Sequence, residues 1–265
     1  MKKDKIPLKI ALFFLFFLVL LIANQIVKNI LIDEEITNYN IHLLIGIGSN
    51  IILSLVSLYF IKKNELLQLS GLHTFKAEKV HLLLFPLVFL VGINLVFGGD
   101  IPEFTPLQLI VLATYCLSIG FSEEFSIRGV LLPLLIKHGG GTKKSITRAI
   151  FISSLIFGLL HLIKFDKGLY GEISQVFFAT FIGVLFGALL IATKSIYPLI
   201  VIHALIDFAA KIDSIGVPFE KTIASETDIT GAIFLIILTL PCLLFGMYII
   251  KKHIPEKIQL NEYQA

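Results

Sequence analysis

Six ionisable residues stand where apolar sequence would otherwise run on. Glu123, Glu124 and Arg128 fall inside one long apolar segment, His161 lies in a second, and His203 and Asp207 lie in a third. Side chains of this kind are costly in hydrocarbon and by default face a protein interior where they do chemistry. Two acids, two imidazoles, a third acid and a guanidinium can activate a water, stabilise an oxyanion, relay protons or bind a divalent cation.

Helical spacing divides the labour among them. Glu124 and Arg128 are at i and i+4, on one face, where a bidentate pair can form. Glu123 points about 100° away around the helix, so it is left as the carboxylate with freer chemistry. His203 and Asp207 are also at i and i+4. Each residue has a plainer reading too. The glutamates could cap a broken helix, His161 could sit at an interface, and His203 with Asp207 could be a structural hydrogen-bonded pair between helices.

The elements that must carry these residues are membrane spans. The 265 residues are 56 % hydrophobic and 15 % charged, with mean hydropathy +0.91. A soluble domain is nearer 25 % charged. The apolar residues come in blocks of about 20, the length that crosses a bilayer core. Eight segments are expected, near 8–29, 41–61, 80–98, 106–136, 148–163, 173–193, 196–211 and 229–250. The first resembles a secretory signal but lacks a small-x-small cleavage site, so a retained span is expected. The fold class is therefore all-α, a polytopic membrane protein of about eight transmembrane helices, with residues 1–265 forming a single domain.

Lysine placement orients the spans. Lys2, Lys3, Lys5, Lys62, Lys63, Lys137, Lys143, Lys144, Arg148, Lys194, Lys251 and Lys252 fall on one side of an eight-span chain. The opposite loops carry Asp33, Glu34, Glu35, Asp100, Glu103, Asp213, Glu220, Glu226 and Asp228, with Lys164, Lys167, Lys211 and Lys221 as exceptions. Both termini are expected to be cytoplasmic, and the location is the cell membrane. At 1.5 Å per residue, Glu123 lies about 21 Å, His161 about 20 Å and Asp207 about 20 Å from the cytoplasmic end, so three helices offer polar groups at similar depth. A net charge of +3, with lysines spread between spans, gives no nucleic-acid surface. Cys116 and Cys242 lie in apolar segments and form no metal knuckle.

Several protease designs are missing. There is no HExxH and no GxSG. Asp100 has no intramembrane aspartate partner, and Ser126 has no lysine nearby in sequence. The pattern that is present, Glu123-Glu124-Phe125-Ser126-Ile127-Arg128, resembles the EExxxR motif of the CAAX prenyl endopeptidase and bacteriocin-processing (abortive-infection) family of intramembrane proteases. Phe157-Gly158-Leu159-Leu160-His161 is similar to its FxxxH. His203-Ala204-Leu205-Ile206-Asp207, preceded by Tyr197-Pro198, is similar to its HxxxN/D. The resemblance covers about residues 80–211.

That resemblance implies an intramembrane endopeptidase of eight helices with a cavity open to the cytoplasmic leaflet. Its substrate would be a membrane-associated peptide or lipoprotein, lipidated or of leader type, with membrane lipid as the surrounding partner. Glu123 and His161 would activate water, His203 and Asp207 would form the oxyanion side, and Arg128 would hold Glu124. One departure is Asp207 where Asn is common, because a carboxyl donates only when protonated. No cofactor is favoured, although Glu123, His161, His203 and Asp207 could hold zinc. A proton- or ion-coupled transporter, or a catalytically silent scaffold or immunity protein, is the alternative function.

Overall fold

The computed structural model describes residues 6–163, 168–219 and 227–258. Lys2, Lys3, Lys5, Lys164, Lys167, Glu220, Lys221 and Glu226 lie outside the described residues. All regular structure among the described residues is helical. The helices are α1 (Ile6–Asp33), α2 (Tyr39–Lys63), α3 (Leu84–Phe97, after a 3₁₀ turn at Val80–Leu83), α4 (Pro106–Glu124), α5 (Leu132–Gly139), α6 (Lys143–Leu160), α7 (Gly168–Thr193), α8 (Tyr197–Lys211) and α9 (Ile229–His253). A π-helical stretch, Phe125–Leu131, joins α4 to α5, so Pro106–Gly139 is one interrupted span.

Seven of these helices or helix runs are long and apolar enough to cross a bilayer. The 15-residue α8 is the eighth segment, spanning about 22 Å at 1.5 Å per residue. The sequence-based segments match within a few residues, except that α6 begins at Lys143 and α7 at Gly168, each five residues earlier than expected. The α6 extension holds because Thr142 caps that helix, its side chain accepting from the Ser145 amide. Capping also starts α4. Thr105 accepts from the Gln108 amide, Gln108 Oε1 accepts from the Thr105 amide, and Pro106 occupies the first turn, where its missing N–H costs nothing.

The most buried helix, α7, packs along α9 and α6, while α4 lies between α2 and α8. The largest cluster of buried side chains includes Leu132, Leu134 and Ile136 of α5, Val184 to Leu190 of α7 and Ile249 of α9. In contrast, α1 lies at the periphery against α2 and α5, with most of its surface turned outward. A rim of exposed Leu, Ile, Val and Phe, such as Leu15, Val88, Ile110 and Ile237, faces the surroundings. This is the arrangement of a bundle solvated by lipid, and the chain is a multi-pass integral membrane protein.

Candidate active site

The six polar residues singled out above converge at the junction of α4, the π stretch, α6 and α8. Glu124 is fully buried and Arg128 is 1 % exposed. Arg128 Nη1 donates to Glu124 Oε1 at 2.9 Å, the pair expected from their spacing. The Arg128 guanidinium lies between the rings of Phe157 and Phe186, 4.8 and 5.4 Å from their centroids. Cation–π contact with two faces stabilises a charge that water does not reach. Both rings also stand edge-on to His203.

Glu124 has a second partner. His203 Nδ1 lies 2.7 Å from the same Oε1, so with Glu124 ionised Nδ1 carries the donated proton. That bond fixes the imidazole plane and presents Nε2 to Glu123, whose Oε2 is 3.4 Å away. Asp207 Oδ2 lies 3.9 Å from the same nitrogen. Glu123, 29 % exposed, faces the cavity while its neighbour in sequence is sealed in the core.

His161 is set differently. Its Nδ1 donates to the Phe157 carbonyl oxygen at 3.0 Å, which leaves Nε2 as the basic nitrogen of the neutral ring. It terminates α6 and reaches the same cavity as Glu123 and His203.

Two glycines make the convergence possible. A Cβ on Gly120 would lie 2.7 Å from the Ile200 carbonyl oxygen and 3.4 Å from the Ala204 amide. Only glycine lets α8 approach α4 closely enough for His203 to reach Glu124. A Cβ on Gly158 would collide with Thr180 and with the Val176 carbonyl, so the same device seats α6 against α7.

Sequence reasoning passed over two cavity residues. Lys211, the last residue of α8, reads in sequence as a loop charge, yet its Nζ donates to Asp207 Oδ1 at 2.8 Å and the residue lines the cavity. Its i,i+4 spacing from Asp207 was the available signal. Glu172, near the start of α7, is 2 % exposed and also lines the cavity. The cavity encloses about 300 Å³ and gains an apolar wall from Phe17 and Leu21 of α1. Ser126 is engaged elsewhere, donating to the Ser122 carbonyl oxygen at 2.6 Å and bonded to Ser57 at 3.0 Å.

Residues 105–209 match the model of the Rce1-like family, described as type II CAAX prenyl endopeptidase. Over this stretch, about two fifths of the chain, the sequence is similar to the Rce1-like family. The match begins at the capping Thr105 of α4 and ends in α8, so it contains all six polar residues and both site glycines. Comparisons with curated proteins and with solved structures gave no significant match. The match supports, at family level, an intramembrane endopeptidase of the CAAX type. Among the described residues no three His, Cys, Asp or Glu side chains converge as a metal-binding group. Glu123, His161, His203 and Asp207 are accordingly not gathered as a group of three or more ligands.

Proposed function

We propose that the chain hydrolyses a peptide bond in a membrane-associated peptide, using a water activated by Glu123 and His161. The observation that carries the reading is the split between adjacent glutamates. Glu124 is held in a sealed ion pair with Arg128 and His203, while Glu123 faces the cavity beside His203 Nε2. A carboxylate deep in the cavity is suited to take a proton from water as the water attacks a carbonyl carbon. His161 lines the same space, and its Nε2 can accept or return that proton.

The oxyanion formed by attack requires donors. In its imidazolium form, His203 donates from Nε2–H. Asp207, as the carboxylate that accepts from Lys211, cannot donate, so the Lys211 ammonium supplies the donor that an asparagine amide would offer at that position. Arg128 does not reach the cavity and acts by positioning Glu124, and through it His203.

The test uses purified protein in lipid nanodiscs with two probes, a prenylated C-terminal peptide and an unlipidated leader-type peptide. Wild-type protein is expected to cleave at least one. Glu123→Gln and His161→Ala are each expected to lower cleavage by about 10²–10⁴-fold. Undiminished cleavage by both variants would remove the catalytic assignment, and Glu123-dependent ion flux in liposomes would point to transport instead.

A further inference from the structure

Two expectations drawn from the sequence collide once the helices are assembled. Lysine placement sets one end of the bundle in the cytoplasm, and the family resemblance implies a cavity open on that same side. The two ends are clearly distinguished. At one, Lys143 pairs with Glu256, Lys137 donates to the Asn64 and Glu65 carbonyl oxygens, and Lys194 pairs with Glu78. At the other, the Phe219 amide donates to Thr37 and the Gly99 amide to Asp213. Among the described residues, 13 of the 16 lysines and arginines belong by their places between helices to the first end and two, Lys28 and Lys211, to the second, with Arg128 between.

The cavity lies toward the second end. On α1 its lining begins at Phe17 and finishes at Gln25, approaching Asp33. On α6 it involves the final turn and His161 beyond it, and on α7 it starts at Glu172, four residues from the helix start. On α8 it extends to the last residue, Lys211. The polar side chains Gln25, Gln175 and Lys211 form the approach, and Glu123 and His203 lie deepest. Toward the lysine-rich end the path is closed by Arg128, Ile127, Leu131, Leu132, Leu134 and Ile136, each at most 2 % exposed.

We infer that the cavity opens to the face opposite the lysine-rich one. With lysine-rich loops retained in the cytoplasm, the site receives peptide from the extracytoplasmic side. The substrate class is then a translocated segment, such as the outer end of a membrane-spanning or leader peptide, and not a chain terminus held in the cytosol. The substrate part rests on the proposed proteolysis, whereas the direction of opening does not.

Cysteine labelling in intact cells tests the direction without needing activity. Gln25→Cys reports the cavity approach, Glu103→Cys the acidic end and Glu256→Cys the lysine-rich end. The wild-type chain is the blank, because Cys116 and Cys242 are both buried. A membrane-impermeant maleimide is expected to label Gln25→Cys and Glu103→Cys at least about tenfold faster than Glu256→Cys, which reacts fully only after permeabilisation. The reverse order, or equal labelling at both ends, overturns the inference. If the direction holds, right-side-out vesicles should cleave added leader-type peptide and inside-out vesicles should not. Cleavage only by inside-out vesicles overturns the substrate class. Expected labelling with no cleavage in either vesicle refutes the proteolytic reading and leaves the direction standing.

Discussion

Adjacent glutamates in one helix should fail in opposite ways when each is changed to glutamine. Glu124→Gln keeps the shape but removes the carboxylate that Arg128 Nη1 meets at 2.9 Å and His203 Nδ1 at 2.7 Å. Both Glu124 and Arg128 are sealed from solvent, so the guanidinium is left as an uncompensated buried charge. Breaking one side of such a pair costs about 3–5 kcal/mol. At ~2–4 °C per kcal/mol for a chain of this size, the apparent melting midpoint should fall by on the order of 10 °C. Glu123→Gln removes only a partly exposed contact at 3.4 Å. It should cost under about 1 kcal/mol, yet abolish most cleavage. Thermal unfolding in detergent, read beside peptide cleavage on the same preparations, separates the two. If Glu124→Gln melts within about 2 °C of wild type, or Glu123→Gln falls as far as Glu124→Gln, the division of roles between the glutamates is wrong.

Gly120→Ala should force α8 from α4, because its new methyl lies 2.7 Å from the Ile200 carbonyl oxygen. About 1–3 kcal/mol of overpacking is expected, with ~10²-fold slower cleavage if His203 moves by about 1 Å; unfolding midpoints and initial rates check both. Lys211→Met should lower kcat by ~10²-fold, the usual cost of losing an oxyanion donor, and an unchanged kcat at saturating peptide would take Lys211 out of the reaction. Outside the spans, the Lys194 ammonium, donating to Glu78 at 2.8 Å, holds that carboxyl below its usual range. The pair's contribution is therefore present above the ordinary carboxylate pKa and lost as pH falls through the lowered one. Both partners are exposed, so Glu78→Gln should change stability by under about 1 kcal/mol at neutral pH, and added salt should erase the difference.

Span positions were legible because long apolar blocks leave few other readings, and Glu124 with Arg128 was legible because i,i+4 geometry is local. Lys211 was not. In sequence it is one more cation after an apolar helix, its i,i+4 spacing from Asp207 the one hint, and the close packing of α8 on α4 is what brings that pair beside the site. The need for Gly120 depends on the Ile200 carbonyl, 80 residues away, which no local pattern encodes. Nor does spacing reveal the π turn. The motif reads the same in an α-helix, and the wider turn becomes visible only in the hydrogen-bond register. Glu172 was passed over because it precedes an apolar run, where a carboxylate ordinarily meets solvent or headgroups.

The sealed layer beneath Glu123 and His203 makes the cavity a blind well. Whatever enters must leave by the same mouth, so a long polypeptide cannot be threaded through and cut in passing. A free end or a tight bend is what reaches the floor, and a short fragment is what is released. Each round must then clear its product before the next chain can enter, which makes unbinding of the fragment a natural bottleneck in turnover.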